Sequence, residues 1–344
     1  MAEQADVLVV GGGPGGLACA TLLAERGARV VLAERKPVIG TKVCAGGLTW
    51  HGLLRHVPDS LIERTFPEQD IRTPWQQVVV AEPDPIVATV NRERLGQWMT
   101  ERALAAGVMV FAGTRVMEMA AHRAIMETAA GRRSTVEWGH LVGADGSASM
   151  VRRFLGLPVS VTGIGLNCIH PGSHDRMEWH LDPRRFGAGY SWIFPHQDTI
   201  SIGTYGDIRL FPVRELKRQL LRWAAAQGFR LDSRAIRAGL INYDFRGVRF
   251  DRIWLVGDAA GLASGLTGEG IYPALVSGQA VARMILDPGY TDNDLVQLVA
   301  RHRHHRQMVS LAVRNRWLRR LLVETMAMLL RIKVIDFRLL EMAN

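Results

Sequence analysis

The sequence predicts an α/β fold in which a parallel, nucleotide-binding sheet is interrupted by an inserted antiparallel sheet and followed by C-terminal helices. Three observations predict it. Short apolar runs alternate with helical periodicity at the start of the chain, two internal regions alternate at period two, and a buried-strand pattern returns near residue 252. A length of 344 residues suits one large unit with an inserted lobe. Hydrophobic residues at 48% against 22% charged are globular values, and no low-complexity tract suggests disorder.

ADVLVV (5–10) reads as a strand ending in GGGPGG, the following LACATLLAERGA has helical periodicity, and RVVLAE is a second strand closed by an acid: a β-α-β unit. The first strand is expected to begin at Asp6, which leaves no room for a signal peptide. VMVFAG (108–113) repeats the parallel-strand pattern. Arg115 to Gly143 reads as three short strands separated by Ala-His-Arg and Gly-Arg-Arg turns, a meander in place of a helical crossover. QVVVAEPDPIVATVNR (77–92) and most of 162–206, including MEWHL and YSWIF, alternate at period two and are expected to pair in one antiparallel sheet. IWLVGD restores a buried strand, followed by a glycine-rich turn and the small-residue helix PALVSGQAVARMIL. The expected division is therefore discontinuous: residues 1–75, 93–158 and 250–290 for the nucleotide domain, 76–92 and 159–249 for the inserted sheet, and 291–344 for a basic helical segment.

Cys19, Cys44 and Cys168 stand far apart, without a CxxC pair, which argues against structural zinc, iron-sulfur centres and a disulfide framework. A reducing cytosol fits that usage, and no apolar run approaches the ~20 residues needed to span a bilayer. A net charge of +9 favours an anionic partner. Much of that charge follows residue 300, in RHRHHR (301–306), Arg314, Arg316, Arg319, Arg320, Arg331, Lys333 and Arg338, interleaved with Leu, Val and Met as in one or two basic amphipathic helices. Two readings stand for them: docking on an anionic membrane surface, or a solvated helical face closing a pocket. His302, His304 and His305 read as part of a charged helix face, and no metal is assigned. No RNA-binding motif or aromatic stacking platform accompanies the arginines, so nucleic acid is not an expected partner.

Gly11, Gly13 and Gly16, with Pro14 and Gly15 between them, match GxGxxG between strand and helix, and Glu34, followed by Arg35, ends the next strand where a ribose-binding acid belongs. Gly11 permits the tight turn, Gly13 lets backbone approach a pyrophosphate at the positive helix end, and Gly16 allows close packing of helix on strand. Two further stretches decide between FAD and NAD: GADGSASMVRR (143–153) and WLVGDAAGLASGLTGEGIYPAL (254–275). With them the chain resembles, over about residues 5–290, the flavoprotein superfamily that contains para-hydroxybenzoate hydroxylase and the geranylgeranyl reductases.

The resemblance implies a Rossmann-like FAD-binding domain with an inserted substrate-binding sheet. It implies that Asp145 and Gly146 contact FAD, that Asp258 lies on the ribityl-pyrophosphate segment, and that Gly268, Gly270 and Ile271 approach the isoalloxazine. Arg92, in VNRERLGQWM, would contact the cofactor and Val116 would lie at the adenine. Gly96 departs from the aspartate frequent in relatives. Independently of the resemblance, GLTGEGIYPAL reads as a loop entering a helix N-terminus, whose N–H groups stabilise negative charge on a reduced flavin. Asp258 also suits a helix cap.

GYSWIFPH (189–196) puts Tyr190, Trp192 and Phe194 on one strand face, followed by Pro195, and the residues alone leave core and substrate wall equally open. Geranylgeranyl reductases carry a similar YxWxFP segment at the substrate pocket and a C(G/A)GG-type segment after the first βαβ unit. The second is similar to TKVCAGGLTW (41–50), which would put Cys44, Ala45 and Gly47 on the flavin. His196 stands where those relatives often have lysine. The implied reaction is saturation of isoprenoid carbon-carbon double bonds by reduced FAD. An isolated trisubstituted alkene accepts hydride poorly, so a proton must accompany it; Cys44 and a bound water are the rival donors.

No second GxGxxG marks a resident NAD(P)H, and the resemblance allows either a transient nicotinamide or a ferredoxin-like donor as external reductant. The alternative on the same fold is an FAD-dependent aromatic-ring monooxygenase, or more distantly a halogenase, whose WxWxIP motif is similar to YSWIFP, which begins instead with tyrosine. A non-enzymatic membrane- or nucleic-acid-binding protein with a vestigial flavin site is the remaining class. The expected partners are an isoprenoid substrate, an electron donor and an anionic membrane surface, with the protein in the cytoplasm and peripheral at the inner face of the membrane.

Overall fold

The computed structural model describes residues 3–54 and 56–343. The strand Glu3–Val10 is apolar at successive positions, and Val7, Leu8 and Val9 are all buried, because both faces of its sheet are covered, as in parallel sheets. It starts earlier than the expected Asp6. It pairs in parallel with Val30–Glu34 on one side and Arg133–Gly143 on the other. Met109–Ala112 and Ile253–Leu255 extend this eight-stranded sheet, also in parallel. The expected meander is present as Thr114–Ala120, Arg123–Thr128 and Arg133–Gly143, paired antiparallel.

Because the central strands run the same way, Gly11, Ala144 and Val256 emerge side by side at one sheet edge: Ala144 N–H donates to Val10 O at 2.8 Å, and Val256 N–H to Gly143 O at 3.0 Å. The helix Pro14–Ala24 packs against Ile271–Leu286 along a seam of small residues. A Cβ on Gly278 would lie 2.2 Å from Gly15 O. No side chain fits between the two backbones.

The inserted sheet has seven strands, in the order Arg237–Asn242, Thr162–Pro171, Thr199–Asp207, Tyr190–Pro195, Glu178–His180, Glu68–Arg72 and Gln77–Ala81. It is mixed rather than antiparallel throughout, since Glu178–His180 pairs in parallel with Glu68–Arg72. Only the first part of 77–92 joins it. Pro83 and Pro85 lack the N–H that a ladder needs, and after them Val87–Val90 leaves for a three-stranded sheet with Gly47–Thr49 and Ile62–Phe66. One face of the large sheet packs Ile164, Ile193 and Ile202 against Leu216, Leu220 and Trp223 of the helix Val213–Ala226. The opposite face carries Tyr190, Trp192 and Phe194.

The basic segment forms two helices, Asn293–Arg314 and Arg316–Arg331, with the Asn315 side chain accepting the N–H groups of Trp317 and Leu318 at the junction. The histidine run is not a uniform charged face. His302 and His305 are each 1% exposed, in register with buried Leu295, Leu298 and Val309, whereas His304 is exposed. Among the described residues no helix is long and apolar enough to cross a membrane.

Gly278→Ala should lower stability by about 3 kcal/mol, because the new methyl group meets backbone that cannot rotate away. The measurement is the denaturant midpoint at unchanged m value; wild-type stability would show that the two helices separate freely.

Candidate functional site

A cavity of about 810 Å³ lies between the two large sheets, at the carboxyl ends of the parallel strands, where α/β proteins bind ligands. At one end Gly11, Gly13, Pro14 and Gly15 form its wall. Gly11 has φ +109°, and a Cβ there would lie 2.4 Å from Ala144 O. Gly16 packs rather than lines, as its spacing predicted: a Cβ would sit 2.1 Å from Gly11 O. The helix behind this loop is preceded by Gly13 without a side-chain cap and has no acid in its own first turn, so its positive end faces the cavity. Glu34 borders the loop, its two oxygens accepting the N–H groups of Gly12 at 2.8 Å and Lys36 at 2.9 Å, with Arg35 beside it. Val116 and the neighbouring Arg115 close the same end.

Further along the cavity, Asp258 is no helix cap. It lies within the short helix Gly257–Ala260, and its carboxylate binds Lys42 Nζ at 2.9 Å and Ser147 Oγ at 2.8 Å. Asp145 accepts the Met150 N–H through one carboxylate oxygen, and Gly146 follows it on the wall. Nearby Arg152 is no ligand: fully buried, it donates to the carbonyls of Pro158, Asp244, Ala259 and Ala260 and so ties the 143–153 stretch to the Asp258 helix. Gly268, Gly270 and Ile271 line the wall where the helix Ile271–Leu286 begins. Gly96 is explained by the path of the chain, since a Cβ there would lie 2.4 Å from Gly40 Cα.

The segment 44–47 is braced from three sides. Asn167 Nδ2 donates to Cys44 O at 2.9 Å, Cys44 Sγ accepts the Gly46 N–H at 3.3 Å, and His196 Nε2 donates to Ala45 O at 3.0 Å. Gly46 has φ +81°, and a Cβ there would lie 2.4 Å from His196 Cε1. His196 therefore holds this loop, with Glu63 on its other ring nitrogen. Cys44, Ala45 and Gly47 line the cavity together with Tyr190, Trp192 and Phe194. Pro195 does not line it; its carbonyl accepts the Thr89 hydroxyl at 2.9 Å.

Trp179 completes the aromatic chamber, its ring centroid 4.6 Å from Phe194 and 5.2 Å from Tyr190, and Phe337 closes it from the C-terminal segment at 5.9 Å. The Tyr190 hydroxyl is committed to Thr267 O, and burial pushes its pKa up.

The FAD binding domain family matches residues 4–285, most of the chain. The chain belongs to the FAD binding domain family. Among curated relatives of this FAD-binding chain, it is 28% identical over 313 residues to a chloroplastic geranylgeranyl diphosphate reductase of Nicotiana tabacum, covering 82% of this chain and 66% of the relative. The chain thus spans about two thirds of that reductase. It is 28% identical over 317 residues to a digeranylgeranylglycerophospholipid reductase of Methanospirillum hungatei, covering 81% and 75%. In fold it is similar to a geranylgeranyl bacteriochlorophyll reductase-like protein of Thermoplasma acidophilum, with a TM-score of 0.81 and 21% identity over 96% of this chain and 92% of the other. A p-nitrophenol 4-monooxygenase of Pseudomonas putida shares the fold at a TM-score of 0.73 and 16% identity, covering 99% of both chains.

The cavity residues fit FAD. Arg92 Nη1 is buried without a hydrogen-bond partner among the described residues, and burial pushes its guanidinium pKa down although Cys44 and Asp258 lie close. Asp145 Oδ1 is likewise unpaired, and burial pushes its carboxyl up. Such orphaned groups beside an open glycine loop await a polar ligand, which the phosphates, ribityl hydroxyls and ring edge of FAD would supply.

One group the sequence reading did not single out is Glu269, although it stands between two glycines expected at the flavin. Its Oε2 accepts the Met342 N–H at 3.0 Å, and its Oε1 lies 3.3 Å from the Thr49 hydroxyl. Burial pushes its pKa up to about 7. Glu341, 2% exposed, is pushed up to about 8 by burial and then by the charge of Glu269, while Arg301 holds its backbone carbonyl at 3.0 Å. Among the described residues no cluster of His, Cys, Asp and Glu forms a metal site.

These acids fix the sign of a pH dependence. A carboxyl whose folded pKa is raised binds a proton that the unfolded chain releases above about 4.5, so its stabilisation is whole below that value and is lost as pH rises toward about 8. His302 and His305, pushed down to about 4 by burial, act on the other side: their stabilisation is present above 6.5 and lost as pH falls toward about 4. Glu341→Gln should therefore spare about 2 kcal/mol of the stability that the native chain loses between pH 6.5 and 8, read by chemical denaturation at both values. Parallel pH profiles for the two proteins would refute the assignment.

Proposed function

We propose that this chain is an FAD-dependent reductase that saturates carbon-carbon double bonds of an isoprenoid chain. The observation that carries the proposal is the continuity of one cavity from the FAD-binding glycine loops to a chamber walled by Trp179, Tyr190, Trp192, Phe194 and Phe337. That chamber offers a long hydrocarbon apolar contact and few polar groups to desolvate. The names of the geranylgeranyl diphosphate and digeranylgeranylglycerophospholipid reductases among its relatives agree with such a substrate.

Bound and reduced, FAD supplies a hydride. Saturating one bond would place a proton on one carbon, which develops cationic character on the other, and a hydride on that second carbon, which neutralises it. Of the proton carriers at the chamber, Tyr190 is spent on Thr267 O. Glu269 keeps a proton near neutral pH, and because Oε2 accepts a main-chain N–H, the proton resides on Oε1, beside Thr49. Cys44 borders the same chamber and is the second donor. His196 and Asn167 hold the Cys44 loop by its carbonyls, so thiol and backbone keep their place as substrate enters.

Purified protein reduced anaerobically with dithionite should convert geranylgeranyl diphosphate to products gaining two hydrogens per bond, read by mass spectrometry. Products gaining one oxygen in air would identify a monooxygenase instead. Glu269→Gln should lower kcat at least about a hundredfold with FAD content unchanged. Full turnover in both Cys44→Ser and Cys44→Ala would leave the thiol no part in proton transfer.

A further inference from the structure

The helix Arg316–Arg331 separates the aromatic chamber from the outside. Its inner side is anchored: Ala327 and Leu330 are buried in the chamber's apolar cluster, Met326 lines the cavity, and Glu324 turns inward to Thr73 Oγ1 at 2.7 Å and Gln76 Nε2 at 3.0 Å. Its outer side is not covered. Trp317 and Leu321 are 64% and 62% exposed, Met328 lies on the same stripe at four- and seven-residue spacings, and Ile332 and Val334 continue it at 55% and 66%.

Cations border this apolar stripe. The Arg320 guanidinium lies 5.2 Å from the ring centroid of exposed Trp75 and 5.8 Å from that of Trp317, and Arg316 lies 5.2 Å from Trp317. Residues 315–340 hold six basic side chains against two acidic ones, Glu324 and Asp336; Glu324 and the partly buried Arg319 guanidinium turn inward, which leaves five cations against one acid. Arginines ringing an exposed apolar helix face, with tryptophans at the boundary, match the layered chemistry of a membrane interface: anionic headgroups outside, acyl chains beneath.

We propose that this face, comprising Trp75, Arg316, Trp317, Arg320, Leu321 and Ile332, docks the protein on an anionic lipid bilayer. A second copy of the chain fits less well, because an isologous contact would set the same arginines against each other. Docking would bring the chamber wall to the layer in which isoprenoid lipids dissolve. That consequence rests on the reductase reading, whereas the docking itself does not.

The test is co-sedimentation of FAD-loaded full-length protein with vesicles of phosphatidylcholine, with and without phosphatidylglycerol. Binding should require phosphatidylglycerol and weaken with added salt. Arg316→Glu with Arg320→Glu changes four charges at about fivefold each, so partitioning should fall at least about a hundredfold. Trp317→Ser with Leu321→Ser should also weaken binding, at unchanged flavin absorbance and thermal midpoint. The control Arg214→Glu with Arg222→Glu, an equal charge change on exposed residues of the Val213–Ala226 helix, should bind as the native protein does. Equal loss in that control would reduce the effect to net charge and overturn the proposal. So would absence of binding, or a dimer in sedimentation velocity that Leu321→Asp disperses. None of these readouts uses turnover, so a failed reductase assay leaves the docking result standing, and the converse holds.

Discussion

The structure depends on backbone meeting backbone without side chains between. Gly11 lies against Ala144, Gly16 against Gly11 O, Gly15 against Ala274 O, and Gly278 against Gly15 O, each at a distance that a methyl group could not share. These contacts draw the ends of three parallel strands and the starts of two helices into one small region. The positive ends of both helices then face the same cavity, which is the electrostatic requirement of a dinucleotide site. The inserted sheet has close backbone approaches of its own, Gly189 against Tyr205 O and Gly203 against Leu166 O. It brings a face of large aromatic side chains to the open end of that region, and dispersion and burial hold it there.

Proton-bearing groups are distributed by the same geometry. Where the cavity is polar, carboxylates are met by N–H groups and cations, as Glu34 is by two amides and Asp258 by Lys42. Where it is apolar, burial pushes the Glu269 carboxyl up, one main-chain N–H from Met342 orients it, and its charge adds to the burial that raises Glu341 behind it. The C-terminal segment thus orients an acid in a glycine loop that lies more than seventy residues earlier in the chain.

Much of the fold was legible in the sequence because it is written locally. The strand-glycine-helix unit, the meander and the two basic helices each follow from periodicity and turn residues over a short window. The mixed pairing of Glu68–Arg72 with Glu178–His180 was not, since register between segments so far apart is set by tertiary packing. The departure of Val87–Val90 from the large sheet did have a local sign, in Pro83 and Pro85. Within the site, the glycines, Cys44 and the alternating aromatics were readable, while the bracing role of His196 was not, because it depends on the missing Cβ of Gly46, which is distant in sequence but in contact with the ring. The burial of His302 and His305 was also readable: with Leu295, Leu298 and Val309 they keep three- and four-residue spacings along one helix face. The count of charges around them concealed it.

The cavity wall is assembled from segments that span the chain, from the glycine loop at Gly11 through Glu34, Cys44, Arg92, Asp145 and Asp258 to Phe337. A ligand gripped by all of them binds the native state and not the unfolded one, so its binding free energy adds to the stability of the whole chain. The amount of intact protein in a cell is then tied to the supply of FAD. Without the ligand all of these segments lose that contribution at once, and a larger unfolded fraction would be open to proteases.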